Sequence, residues 1–273
     1  MGLRVNTNVL SLNAQRNLSG VTERLSGNFQ RLSSGLRIAT AADDAAGLGI
    51  SERMRSQIRS LSQAGRNTQD GVSLVQTAEG ALAEVNNNLT RMRELAIQAS
   101  NGTLNTGDRA AVDNEFQELI SEIDRISDTT DFNGIQLLDG SVTGIDIQVG
   151  TESGETVTIS LSDVSESGLS LDGGTFDLTS VTNASAALAT IDSAIDSVSS
   201  YRGSLGAFQN RLQSATRSIS TTAENLSAAE SRIRDVDIAK ETADLTRNSI
   251  MQQAATSVLA QANVQPQLAL QLL

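Results

Sequence analysis

The sequence predicts a mainly α-helical chain: a long antiparallel helical bundle or coiled coil with a small β-hairpin excursion and with its N- and C-termini paired. Three observations carry that fold class. Apolar residues recur at steps of three and four along most of the chain, and near both ends they form narrow seams of the kind a partner helix packs against. Only 2% of the 273 residues are aromatic and Pro266 is the one proline, so Ala, Leu, Ile and Val must fill thin seams rather than a thick core. Period-two alternation is confined to a short stretch near the middle.

Taken in order, residues 1–36 read as a helix after a short lead. Leu18, Val21, Leu25 and Leu32 form its seam, with Asn28 on the missing rung and Phe29 and Leu36 widening the stripe. The small residues and glycines of 38–50 read as a connector that packs closely against something. From Ile58 a second ladder runs through Leu61, Val72, Val75, Leu82, Leu89 and Ala96, a helix of roughly 60–70 Å at ~1.5 Å per residue. It stops near Asn101-Gly102, a helix-ending pair. Asp108 is expected to cap a third helix after Gly107, with Val112, Phe116, Leu119, Ile123 and Ile126 as its stripe and the turn 130–134 as its end.

Ile145, Ile147 and Val149 then alternate with polar residues, as do Val157, Ile159 and Leu161, with a Gly-bearing loop between. That is a β-hairpin pattern, placed within an excursion of about 141–182. Helical spacing resumes at Leu188 and keeps step to Leu226, where two consecutive steps of three mark a change of packing environment. Gly203 and Gly206 each cost this helix about 1 kcal/mol relative to Ala, which suggests close helix approach. The C-terminal seam runs through Leu226, Ala229, Ile233, Val236, Ala243, Ile250 and Ala254, with Lys240 and Arg247 on two rungs and Val258 beyond. Its expected partner is the N-terminal seam. From Ser249 to Leu273 the chain carries no charge, and an apolar end of this kind is expected to be covered by neighbouring copies.

Composition excludes several function classes. The net charge is −12 and Lys240 is the one lysine, so the clustered cations that nucleic acid requires are missing. There is no cysteine, hence no disulfide and no thiolate metal site. No secretory signal and no run of about 18 apolar residues is visible, so no membrane is expected as a partner and any export uses another route. With no His and no Cys, the common general bases and nucleophile pairs are missing. The expectation is no enzyme: no catalytic, cofactor-binding or metal residues, and no cofactor. Gly47-Leu-Gly-Ile-Ser-Glu52 has Glu where a dinucleotide loop needs its third glycine and follows no strand. Asp43-Asp44 lacks calcium-loop spacing, and the Asn-x-Ser/Thr triplets at Asn17, Asn88 and Asn225 fall on expected helices.

Specific motifs add a resemblance. Val5-Asn-Thr-Asn8, Arg31-Leu-Ser-Ser-Gly-Leu-Arg-Ile38, Asp43-Asp-Ala-Ala-Gly47, Gln69–Leu82 and Leu89-Thr-Arg-Met-Arg-Glu-Leu-Ala96 resemble the N-terminal signature of bacterial flagellin. Ser204–Leu212, Glu224–Asp237 and Val258-Leu-Ala-Gln-Ala-Asn263 resemble its C-terminal signature. The matches span roughly 1–140 and 183–273 in order, and the short segment between them implies little or no variable outer domain. The chain ends at Leu273, where many relatives carry one further basic residue.

The resemblance implies a structural subunit of the flagellar filament, serving motility, exported unfolded by the flagellar type III route without a cleavable signal peptide, and located outside the cell. Residues 1–40 and 234–273 would form the terminal coiled coil of the inner filament layer, and 41–233 a helical domain with the hairpin. Implied partners are other flagellin copies in a homopolymer, hook-associated and cap proteins, an export chaperone, and a host flagellin-sensing Toll-like receptor gripping Leu89, Arg91, Leu95 and Glu115. The self-assembly seam would be Leu18, Val21, Leu25, Leu32, Leu226, Ile233, Val236, Ile250 and Val258. A hook–filament junction protein or a minor filament component is the alternative.

Overall fold

The structure, a computed structural model, describes residues 7–172 and 176–271, with side chains through Val264. Val5 and Asn6 of the N-terminal motif and the side chains of the Leu-rich tail therefore lie outside the described residues. Among the described residues the chain forms five helices and four short strands: α1 Val9–Ser34, α2 Ala45–Ala99, α3 Thr106–Thr129, β1 Asp131–Phe132, β2 Ile135–Gln136, β3 Gly144–Gln148, β4 Thr156–Ser160, α4 Val181–Arg234 and α5 Ile238–Gln271. They divide into two compact units, 1–58 with 224–273, and 59–223. Helices α2 and α4 each contribute residues to both units, and the division within α4 falls just before Leu226.

In the first unit α1 and α5 pack on each other. Asn8 caps α1 by accepting from the Ser11 amide, and Gly35 ends it in the left-handed region at φ 72°, a conformation glycine adopts without a Cβ clash. An isolated antiparallel bridge joins Leu36 to Asp235, and the Arg37 and Val236 amides donate across it to the Arg234 and Gly35 carbonyls. The expected connector is shorter than 38–50. Helix α2 starts at Ala45, with Asp44 accepting from the Gly47 amide in its first turn. A Cβ on Gly47 would sit 2.8 Å from the Ile38 side chain, which is the close packing the small residues foretold. Asp43 accepts from the Thr40 and Ala39 amides and the Thr40 hydroxyl, and the Thr40 amide above all holds its carboxyl below the ordinary range. Both aspartates act as local caps.

The second unit holds the larger core. Val75, Ala78, Leu82, Val85, Leu89, Met92 and Leu95 of α2 are buried with Phe116, Ile120 and Ile123 of α3 and Ile191, Val198, Leu205 and Leu212 of α4. Strands β3 and β4 pair antiparallel with Ile145 opposite Ile159 and Ile147 opposite Val157. Val157 and Ile159 face the core while their neighbours face water, the half-buried alternation that identified the hairpin. Beyond β4, Leu161, Val164, Leu169, Leu171 and Leu178 continue into the core, with no further strand among the described residues.

Three local expectations are corrected. The cap of α3 is Asn105, not Asp108: the Asn105 side chain accepts from the Asp108 amide while the Asp108 carboxylate accepts from the Asn105 amide, a reciprocal capping box. The turn 130–134 is itself a small hairpin, β1 against β2, with Asn133 and Gly134 both at positive φ (53° and 79°), as a two-residue Asn-Gly connection demands. Gly203 and Gly206 have no neighbour within 4 Å of an added Cβ, so neither marks a close approach. That role belongs to Gly71, where a Cβ would meet Ile147 at 3.2 Å and Leu212 at 3.3 Å.

Candidate self-assembly surface

The α1 face turned to α5 is the one the spacing selects. Ser11, Ala14, Val21 and Asn28 are buried, and Leu18, Leu25 and Leu32 are half-buried, so Leu18, Val21, Leu25 and Leu32 share the seam with Asn28 on its rung. On α5 the seam runs through Glu241, Leu245, Asn248, Gln252, Ala255, Leu259 and Ala262. This differs from the expected rungs. Leu226, Ile233 and Val236 are half-buried, but Ala243, Ala254, Lys240 and Arg247 are exposed, and Ile250 and Val258 are 61% and 59% exposed. The physical reason is the break at 235–237. Helix α4 ends at Arg234 and α5 starts afresh at Ile238, with Asp237 accepting from the Ala239 and Lys240 amides. The helical phase is reset there, and the three-four ladder that continues to 254 turns away from α1.

The contacts inside the pair are strongly polar. Asn248 Nδ2 donates to Asn28 Oδ1 at 3.0 Å, and Arg31 Nε donates to Glu241 Oε1 at 2.8 Å. Ser11 Oγ donates to Asn263 Oδ1 at 2.8 Å, and Asn8 Nδ2 to the Ala262 carbonyl at 2.7 Å. Below the pair, Arg234 is 9% exposed and donates to Glu52 Oε1 at 2.6 Å. That hydrogen bond holds the Glu52 carboxyl below the ordinary range.

A second set of large apolar side chains points outward. Val9, Leu10, Leu12 and Phe29 of α1 are between 52% and 57% exposed, and Ile238, Ile250, Val258 and Val264 of α5 between 43% and 64%. A helix pair with aliphatic groups on its outer faces as well as in its seam departs from the usual amphipathic arrangement. Each such group fully buried contributes about 1.5–3 kcal/mol, which makes the outer faces of this pair the candidate surface for a partner.

The four expected receptor-contact residues separate. Arg91 and Glu115 are exposed and paired, with Arg91 Nε and Nη2 donating to Glu115 Oε1 at 2.9 and 2.7 Å and Nη1 to Glu94 at 2.9 Å. These acceptors, Glu115 first, raise the guanidinium above its ordinary value. Leu89 and Leu95 are 0% and 2% exposed. On α2 they lie on the core side, while Arg91 lies on the solvent side.

Among the described residues no group of three or more acidic side chains is placed to hold a metal ion, and no helix is long and apolar enough to cross a membrane. The Gly47–Glu52 segment lies at the start of α2.

Comparison with known proteins bears on the same two helical regions. Residues 5–143 match the bacterial flagellin N-terminal helical region and 188–273 the bacterial flagellin C-terminal helical region. The chain is 51% identical to the flagellin of Halalkalibacterium halodurans over 269 residues, covering 98% of this chain and 99% of that one. It is 44% identical to the flagellin of Bacillus subtilis, covering 99% of this chain and 100% of the relative. Among solved structures, a Bacillus cereus flagellin superposes with a TM-score of 0.51 at 38% identity, over 60% of this chain and 94% of that chain. Two family regions in order and full-length likeness to flagellins, together with the paired terminal helices, lead to one conclusion: the chain belongs to the bacterial flagellin family, whose members are structural filament proteins rather than enzymes.

Proposed function

We propose that this chain is a subunit of an extracellular flagellar filament serving swimming motility, and that copies join by burying the outer faces of α1 and α5. The observation that carries this reading is the row of aliphatic groups left exposed on the outer faces of the pair. Ile250 and Val258 are 61% and 59% exposed while Asn248 and Glu241, on the opposite side of α5, are 7% and 9% exposed. A second copy supplies the missing apolar partner. In this reading 1–40 and 234–273 form the inner layer of the filament and 41–233 the shell around it, and Leu18, Val21, Leu25, Leu32, Leu226, Ile233 and Val236 hold the terminal helices in shape for Ile250 and Val258 to make contact between copies.

Export unfolded by the flagellar type III route, with a chaperone before assembly and hook-associated and cap proteins after it, belongs to the same proposal. The absence of cysteine and the near absence of proline support it, since neither crosslinks nor slow prolyl isomerisation hinder a threaded chain. Recognition by a host Toll-like receptor would rest on Arg91 and Glu115 at the surface of α2 and α3, with Leu89 and Leu95 supporting them from beneath.

The test is electron microscopy of the purified full chain beside a chain lacking 236–273, each seeded with filament fragments. Long filaments from the full chain alone support the reading. Filaments from both remove α5 from the assembly surface, and filaments from neither favour a junction protein that assembles in few copies.

A further inference from the structure

The seam between α1 and α5 contains a polar pair that the assembly reading leaves unexplained. Asn28 and Asn248 are 2% and 7% exposed and joined at 3.0 Å, midway along a seam whose other central rungs are Val21, Leu25, Leu32, Leu245, Gln252 and Ala255. Leucine there would bury more apolar surface and give a more stable pair. A buried asparagine in a helix seam is costly in stability and selective in alignment, because its amide is satisfied in one register alone.

The other polar contacts agree on that register. Asn8 and Ser11 at the start of α1 meet Ala262 and Asn263 far along α5, Asn28 meets Asn248, and Arg31 meets Glu241 near the start of α5. Sliding α5 by seven residues, about 10 Å along the axis, keeps the apolar rungs facing one another. It brings Asn28 opposite Ala255 and Asn248 opposite Gly35 in one direction, or Asn28 opposite Glu241 and Asn248 opposite Val21 in the other. Either way a buried amide faces a group that does not pair with it. The apolar rungs alone do not distinguish these alignments, since small and branched side chains recur every seven residues on both helices.

We infer that Asn28 and Asn248 are the register-setting residues of the terminal helices. Their pairing decides which outward residues of α1 lie beside which outward residues of α5, and so the pattern of apolar surface that a second copy meets. The inference deepens the assembly reading but its test does not depend on filaments.

The chain has no cysteine, so introduced thiols report alignment cleanly. Ser11→Cys with Asn263→Cys reports the observed register, and Ser11→Cys with Thr256→Cys the alignment slipped by seven residues. Each pair is treated with a short thiol-reactive crosslinker in the full chain, before and after seeding, and intrachain crosslinks are quantified by mass spectrometry. With Asn28 and Asn248 intact, the 11–263 crosslink should exceed the 11–256 crosslink at least tenfold. In the N28L/N248L background the ratio should fall to within about threefold, while in an R31M/E241M background it should stay near its original value. An unchanged ratio in N28L/N248L, loss of register in R31M/E241M instead, or no 11–263 crosslink in the parent chain each overturns the inference. Assembly that fails while the crosslink ratios behave as stated would count against the filament reading and leave this one standing.

Discussion

Arg31 on α1 and Glu241 on α5, separated by 210 positions in the chain, form an ion pair at 2.8 Å in which Glu241 keeps 11% of its side-chain surface exposed and Arg31 32%. The pair closes the loop end of the terminal helix pair, next to the bridge between Leu36 and Asp235. Removing one member leaves a nearly buried carboxylate without its donor, and the partial exposure of Arg31 discounts the cost. Arg31→Met should destabilise the α1–α5 pairing by about 1–2 kcal/mol. Hydrogen exchange checks this: amides of α1 and α5 should exchange roughly five- to thirtyfold faster while those of 59–223 hold.

Phe116 and Phe176 lie with ring centroids 5.2 Å apart, and Phe116 is fully buried. It fastens the segment after β4 to α3, together with the Asp113 carboxylate accepting from the Leu178 amide. Phe116→Ala should cost about 3–5 kcal/mol by loss of apolar burial and the cavity left behind. Phe29 is 57% exposed, so Phe29→Ala should change the stability of the isolated chain by less than about 0.5 kcal/mol. Denaturant unfolding of the two variants separates a core ring from a surface one.

Two glycines of the long helices give opposite outcomes. At Gly71 a Cβ meets Ile147 and Leu212 at 3.2 and 3.3 Å, whereas at Gly203 nothing lies within 4 Å. Gly203→Ala should stabilise by about 0.5–1 kcal/mol through helix propensity. Gly71→Val should destabilise by about 1–3 kcal/mol through overpacking between α2, the hairpin and α4. Thermal melts of both variants provide the check.

Glu52, Asp43 and Asp177 have carboxyls held below their ordinary values by the Arg234 guanidinium, the Thr40 amide and the Thr179 hydroxyl respectively. A depressed folded value means that the unfolded chain binds protons first, so the stabilisation is present above the unfolded values of 3.8–4.5 and fades as pH falls below them. Burial raises the Tyr201 hydroxyl above its ordinary 10, so stability should also fall above that pH. Melting temperature against pH should be flat between about 5 and 9 and decline on either side, and Glu52→Gln should soften the acid limb.

Much of the fold is legible in the sequence because its helices carry unambiguous three-four ladders and its hairpin a clean alternation. Val157 and Ile159 alternate inward as written, and Val112, Phe116, Leu119, Ile123 and Ile126 lie on a helix with their apolar faces in or against the core. The errors arise where two rules compete. The ladder through Ala243, Ile250 and Ala254 is real, but spacing alone does not say which of two faces meets α1, and Glu241 and Asn248 take the inner face because their partners Arg31 and Asn28 await them there. Asn105 outcompetes Asp108 as a cap because a capping box uses both. Leu89 and Leu95 share a short motif with Arg91, and only the helical phase separates core from surface within it.

The central claim is that the outward aliphatic groups of α5 drive assembly. The most direct measurement is the critical concentration for seeded polymerisation of the Ile250→Ser/Val258→Ser chain beside the parent. Both residues leave the intrachain seam untouched, so the melt of the isolated chain should be unchanged. Losing two buried aliphatic contacts of about 1.5–3 kcal/mol each should raise the critical concentration at least a hundredfold. An unaltered critical concentration, with filaments growing as from the parent, would contradict the account.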